Sequence, residues 1–279
     1  MFLIDDTALM ALIREDVPAG DLTTRSLGLA AEAGELTMRA RGPMTVACSE
    51  EAVRILQLLG AEAWIATASG RQVEGGEMLL FARGQVEALL AGWKVAQNLI
   101  EWGSGLASCA TEIVAAARAV NPAVTVACTR KSVPGTRALS LRAVTVGGAT
   151  VHRTGLSDSV LLFAEHRAFG GADALAAQIA RLRATCPERK VVVEVADVAE
   201  ALAAARAGAE VLQLEKFPPE QVAAVVAGLG PDWRGHIAAA GGITATNAAA
   251  YAAAGAQVLV TSAPFTAPPR DVAVWIGPA

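Results

Sequence analysis

Positive charge gathers abruptly in "CTRKSVPGTR", residues 128–137, where Arg130, Lys131 and Arg137 follow the apolar run Val124, Thr125, Val126 and Ala127. A second basic pair, His152 and Arg153, stands ahead of the apolar run SVLLF, with Asp158 before that run begins. A strand-end Arg or Lys alone reads as a surface or salt-bridged residue, but like charges packed together are costly unless an anion lies among them, so the two pairs leave a site for an anionic ligand open beside that reading. Glu194 interrupts the apolar run VVVEV, where an unpaired carboxylate is expensive. It needs a cation, a metal or a set of donors, and an ion pair to Arg130 or Arg153 is the plainest way to supply one. Glu215 and Lys216 follow EVLQL, Gly241 and Gly242 follow HIAAA, and Thr261 and Ser262 close QVLV. Glycine lets backbone N–H groups approach an anion, and a helix capped by Thr244 or Thr246 adds a field that favours negative charge. His166 and His236 fit structural or surface roles, and the Met and Trp positions fit a core.

These residues need strand ends to hold them. From residue 104 onward short apolar runs alternate with alanine-rich helical stretches: VTVAC then TRALSLRAV, SVLLF then DALAAQIARLR, VVVEV then VAEALAAARAG. The series continues with EVLQL then PEQVAAVVAGL, HIAAA then ATNAAAYAAAG, and ends on QVLV. Uninterrupted apolar strands separated by helices predict a parallel sheet covered on its faces. Six strands are visible and a seventh is expected around 143–150. That suits an incomplete TIM-like α/β barrel, with a doubly wound open sheet as the alternative. In such barrels the site lies at the C-terminal strand ends, which is where the polar residues named above fall.

The first 103 residues read differently. DDTALMALIRE predicts an amphipathic helix capped by Asp6 or Thr7, and PAGD at 18–21 a turn. GELTMRARGPMTVAC alternates like a strand, SEEAVRILQLLG reads as a capped helix, and a longer helix from Glu87 is expected to end at Gly103.

Composition narrows the classes. At 279 residues the chain can bury a substantial core. It is 53% hydrophobic, yet charged residues and glycines interrupt every apolar run before it reaches a membrane span. The start, MFLIDDTALM, carries acids where a signal peptide carries positive charge. Cys48, Cys109, Cys128 and Cys186 show no CxxC spacing, which suggests reduced, unligated thiols and a cytoplasmic protein. A net charge of −4 argues against a general nucleic-acid binder. The residues therefore describe a soluble barrel for a polyanion such as a phosphorylated sugar diphosphate. Early strands supply cations, late strands a phosphate cradle, and Glu194 and Glu215 can hold Mg²⁺. Two other classes stay open at this point: a Schiff-base lyase using Lys131 or Lys216, and a non-catalytic ligand-binding or regulatory relative.

The segments TRKSVPGTR, VHRTGLSDSVLLF, EDVPAGDLTT (15–24), NLIEWGSGLAS (98–108) and AGGI resemble, in order along the chain, the quinolinate phosphoribosyltransferase family, also called carboxylating nicotinate-nucleotide pyrophosphorylases. Within it the chain is most similar to the ModD branch, which is associated with molybdenum transport genes. The resemblance implies an N-terminal α/β sandwich domain over 1–103, taking in the tail 265–279, and a barrel domain over 104–264. It also implies a homodimer in which the partner's N-terminal domain closes each site, no nucleic acid or membrane partner, and phosphoribosyl transfer from phosphoribosyl pyrophosphate with Mg²⁺ and release of pyrophosphate.

Carried over by position, Thr129, Arg130, Lys131, His152 and Arg153 correspond to substrate-binding residues, and Lys94 to an arginine of that set. Lys131, Glu194 and Glu215 correspond to the catalytic group, the two acids lying near ribose and Mg²⁺. Ala240, Gly241, Gly242, Thr261 and Ser262 fall on the phosphate loops. Departing pyrophosphate leaves an oxocarbenium-like centre that carboxylates stabilise while Mg²⁺ and cations take the leaving group's charge. Several positions depart from the family pattern. Lys94 loses an arginine's bidentate grip, Val151 replaces an asparagine, Phe163 a substrate-binding lysine, and Ala238 an acid. With that charge gone, the resemblance implies retained phosphoribosyl chemistry on an acceptor less acidic or bulkier than quinolinate.

Overall fold

The computed structural model describes residues 3–169 and 174–279. Along the chain come α1 (Asp6–Asp16), α2 (Leu22–Ser26), β1 (Ala33–Ala40), β2 (Met44–Thr45), α3 (Ser49–Leu58), β3 (Glu62–Ile65), β4 (Gln72–Val73), β5 (Met78–Gln85) and the long α4 (Val86–Arg118). There follow β6 (Thr125–Cys128), α5 (Arg137–Val146), β7 (Thr150–Val151), β8 (Val160–Leu162), α6 (Ala164–Arg167), α7 (Ala174–Thr185), β9 (Val191–Val195), α8 (Val198–Arg206) and β10 (Val211–Glu215). The chain ends with α9 (Pro219–Gly228), β11 (His236–Ala240), α10 (Ala248–Ala253), β12 (Val258–Thr261), a 3₁₀ turn and β13 (Val272–Pro278). It divides into two compact units, one of Met1–Thr111, Val133–Gly148 and Pro264–Ala279, the other of Glu112–Ser132 and Ala149–Ala263.

The first unit is built on an antiparallel sheet in the order β13-β1-β5-β3. The C-terminal strand pairs with β1, Leu36 opposite Ile276 and Met38 opposite Val274. Leu36, Met38 and Ala40 alternate inward from β1 and are buried. Of these strands the sequence pattern showed β1, whose run breaks at residues 41–43 before β2; β3, β4 and β5 were not legible. Trp64 is exposed, stacked on Phe81 with Arg83 over its ring, and Trp275 is exposed too, so the core expected at the Trp positions excludes both.

Three helix boundaries differ from expectation, each for a local reason. The cap of α1 is Asp5, whose carboxylate accepts from the Ala8 N–H at 2.9 Å. At α3 the cap position is Cys48, left-handed at φ 64° and giving no side-chain bond to the helix. The long α4 runs on past Gly103 to Arg118. A Cβ at Gly103 would stand 2.6 Å from Cys48 Sγ, and one at Gly105 2.3 Å from the Pro268 carbonyl. These glycines serve close packing rather than a helix stop, and their intrinsic cost of about 1 kcal/mol each is outweighed by it.

The second unit is a seven-stranded sheet in the order β7-β6-β12-β11-β10-β9-β8, parallel in every pairing. Among the described residues no pairing joins β7 to β8, so the sheet is an incomplete barrel. The seventh strand is the two-residue β7, later than expected because residues 137–146 are helical. The start of the predicted helix DALAAQIARLR, Asp173, lies outside the described residues, and α7 covers the rest. Val211, Ala238, Ala240, Val258 and Val260 pack together inside. Three of the seven strands, β10, β11 and β12, thus bring small side chains to the interior, which leaves room above them. No helix among the described residues is long and apolar enough to cross a membrane.

Candidate active site

That room is a cavity of about 310 Å³ at the C-terminal strand ends, all of its lining drawn from the second unit. From β6 come Thr129, Arg130 and Lys131; beyond β7, His152 and Arg153; from β8, Leu161 and Phe163. Strands β9 and β10 add Glu194, Gln213, Glu215 and Lys216, and β11 and β12 add Ala240, Gly241, Gly242, Val260 and Ser262. The period of two along a strand explains the selection. Gln213 and Glu215 share the inward face of β10, and register sets Gln213 beside Glu194 on β9 and Ala238 on β11.

The carboxylates are held without an arginine. Glu194 accepts from Gln213 Nε2 at 2.9 Å, and among the described residues it forms no ion pair with Arg130 or Arg153, contrary to the plainest expectation. Burial is the main reason its carboxyl titrates above the usual range; repulsion from Glu215 adds to the rise and the Gln213 hydrogen bond opposes it. Two acids lining one cavity, with the Glu215 charge adding to the rise at Glu194, fit a shared divalent cation. Mg²⁺ is commonly held by one or two carboxylates together with substrate phosphates, and the described residues offer no cluster of three His, Cys, Asp or Glu side chains for an all-protein metal site.

The cations are poised differently. Arg153 is 6% exposed, lies 5.3 Å above the Phe163 ring and forms no ion pair among the described residues. Burial, and then the charge of Arg130, lower its proton affinity, with Asp158 opposing; a guanidinium remains charged regardless. His152 is pushed below its ordinary value by burial and by Arg153, so its ring is neutral at pH 7 and serves as a hydrogen-bonding group. Lys131 and Lys216 are exposed, so neither amine has the desolvated pocket that is one way of activating a Schiff-base lysine.

Backbone conformation shapes the other wall. Gly241 (φ +90°) and Gly242 (φ +71°) take left-handed turns after β11, which any side chain would strain. Lys216, also left-handed at φ 59°, donates its N–H to the Ala240 carbonyl at 2.7 Å and packs where a Gly241 Cβ would stand. The helix expected to point at this loop begins only at Ala248 and has six residues. Neither Thr244 nor Thr246 caps it; Asn247 Oδ1 instead accepts from the Thr244 N–H. This wall is therefore formed by the glycine loop itself, without a capped helix behind it.

Two candidates stand apart. Thr261 is buried, its hydroxyl donating to the Ile243 carbonyl at 2.7 Å and accepting from the Ala263 N–H, so Ser262 alone of that pair lines the cavity. Lys94 lies on α4 in the first unit, donating to Gln97 at 2.8 Å with its ammonium 3.9 Å from the Trp93 ring centre. Gln213 went unrecognised in the sequence, where it looks like a tolerated polar residue in an apolar strand. The signal available was its spacing of two from Glu215.

A parallel half-barrel with this lining is one made for a small polyanion, and comparison with known proteins narrows it further. The family model described as the quinolinate phosphoribosyl transferase C-terminal domain matches residues 106–274, and the N-terminal domain model matches 21–104. The chain belongs to the quinolinate phosphoribosyl transferase family. It is 97% identical over 249 residues to a Rhodobacter capsulatus protein named as pyrophosphorylase ModD, covering 89% of this chain and 96% of that one. A ModD of Escherichia coli O6:H1 is 37% identical over 282 residues, covering 100% of this chain and 99% of its own. These place the chain in the ModD-like branch. Among solved structures, NadC from Streptococcus pyogenes superposes with a TM-score of 0.88 at 26% identity, over 98% of this chain and 96% of that one.

Proposed function

We propose that the chain transfers a phosphoribosyl group from phosphoribosyl pyrophosphate to a nitrogen-heterocycle acceptor of quinolinate type, releasing pyrophosphate. The observation that carries this is one cavity whose lining brings Arg130, Lys131, Arg153 and Lys216 together with Glu194, Glu215 and the Gly241–Gly242 loop. Arg130, Lys131 and the backbone at Gly241 and Gly242 bind the phosphates. Glu194 and Glu215 face the ribose, where their negative charge offsets the positive charge that develops at the ribosyl carbon. Mg²⁺ held between these acids and the pyrophosphate would neutralise the leaving group. Arg153 and neutral His152 orient the acceptor.

Within the quinolinate type we favour an acceptor of lower negative charge, because the Phe163 ring occupies one wall and takes Arg153 over its face. The family resemblance supports a homodimer in which the partner's N-terminal unit brings Lys94, a role alongside molybdenum transport, and, with the scattered thiols, a cytoplasmic location. The exposure of both strand-end lysines counts against the Schiff-base alternative, and the retained pair of acids against a pure binder. The test is pyrophosphate release from magnesium phosphoribosyl pyrophosphate with quinolinate and with nicotinate, beside calorimetric binding and sedimentation. Release with either acceptor supports the reading. Binding without release favours the non-catalytic alternative, and no binding overturns the proposal.

A further inference from the structure

Gln213 is 5% exposed on the floor of the cavity. Its Nε2 is committed to Glu194 Oε2 at 2.9 Å, while its Oε1 is buried without a hydrogen-bond partner. The register neighbour on its other side, Ala238, offers only a methyl group. Leaving a buried carbonyl unsatisfied is a cost that an apolar side chain of similar shape avoids. The strand nonetheless carries an amide at the one position in register with the cavity's buried acid.

We propose that Gln213 is a positioning residue: it clamps the Glu194 carboxylate in the orientation that meets the ribose, and so acts on the reaction through Glu194. Glu194 forms no ion pair among the described residues, and its partner on β10 is this amide. A carboxylate fixed before the reaction requires no reorganisation as positive charge develops, which is where preorganised groups contribute most. An untethered Glu194 can still approach bound substrate, so the clamp acts on turnover more than on binding. This inference rests on the phosphoribosyl reading above.

The test is a double-mutant cycle of Gln213→Met and Glu194→Gln, assayed by pyrophosphate release from magnesium phosphoribosyl pyrophosphate with quinolinate as acceptor. Binding of the magnesium complex and thermal unfolding are measured on all four proteins. Gln213→Met is expected to lower kcat about tenfold, in line with loss of one charge-assisted hydrogen bond, with KM changed less than threefold. Its melting temperature should be unchanged or higher. In the Glu194→Gln background the same change should have little further effect on kcat, because residues acting as one unit are non-additive. Additive losses, or a Gln213→Met protein that is less stable with unchanged kcat, overturn the clamp and leave the phosphoribosyl reading standing. A wild type that binds without turnover favours the non-catalytic alternative and overturns a clamp that acts on turnover. A wild type that neither binds nor turns over removes the functional reading and this inference with it.

Discussion

Lys216 holds a left-handed backbone at the end of β10 (φ 59°) while lining the cavity. That conformation costs a residue with a Cβ about 1–2 kcal/mol. Replacing it with glycine removes this cost but adds roughly 0.5–1 kcal/mol of backbone entropy lost on folding. The difference predicts that Lys216→Gly stabilises the protein by about 0.5–1 kcal/mol. The backbone bond from Lys216 to the Ala240 carbonyl at 2.7 Å is open to glycine too, and Lys216 forms no ion pair among the described residues whose loss would offset the gain. At roughly 2–4 °C per kcal/mol for chains of comparable size, the melting temperature should rise by about 1–4 °C in calorimetry. Lys216→Ala is the control, since it removes the ammonium but keeps the Cβ and should show no such rise. Both variants should bind magnesium phosphoribosyl pyrophosphate more weakly, by about fivefold, for the loss of one solvent-screened charge contact of about 1 kcal/mol. A glycine variant no more stable than the alanine variant would refute the claim that backbone strain is stored here, and unchanged binding would refute the cation's role.

Gly241→Ala should act in the opposite sense. Its Cβ meets Lys216 Cγ at 2.7 Å at a φ of +90°, so a loss of about 1–3 kcal/mol should appear in denaturant unfolding, with weakened phosphate binding. The raised proton affinity of Glu194 means that the fold is favoured while this group is protonated and loses that contribution as pH rises through its folded value. Glu194→Gln should therefore raise the melting temperature at pH 8 and give little gain at pH 4, while abolishing most turnover. In the first unit Arg142 pairs with Glu50 and with Glu51 at 2.9 Å, the latter 4% exposed. Arg142→Ala strands that acid and should cost about 3 kcal/mol in equilibrium unfolding. Phe163→Lys should increase pyrophosphate release with quinolinate relative to nicotinate, and an unchanged ratio would count against Phe163 as the residue that sets acceptor charge.

The barrel was legible because each βα unit repeats a pattern set by burial on both faces of the sheet. Arg130, Lys131, Glu194 and Glu215 are legible at strand ends from sequence because charge beside an apolar run is conspicuous. The antiparallel sheet of the first unit was not legible beyond β1. Glu62–Ile65 has a single buried residue, Ala63, so its burial is set by the tertiary partner β5 and leaves no periodic trace. Gly103 shows the same limit from the other side. Its propensity argues for a helix end, but contact with Cys48, 55 residues earlier in the chain, decides otherwise.

Gln213 marks where sequence reasoning about a site gives way to geometry. An amide in an apolar strand carries no charge to announce it, and its meaning depends on register: one residue's slip would send it outward among the helices and bring Leu212 or Leu214 into the cavity. Register in a parallel sheet is decided by the neighbouring strands, here β9 and β11, which set Gln213 beside Glu194 and Ala238. The missing lysine at Phe163 was visible as a departure from the family, whereas its consequence, an arginine left lying over an aromatic ring, was not. On the proposed reading, what sets this chain apart lies in neutral residues, Phe163 and Ala238 beside the acceptor and Gln213 beside Glu194, arranged around charges that the family resemblance already leads one to expect.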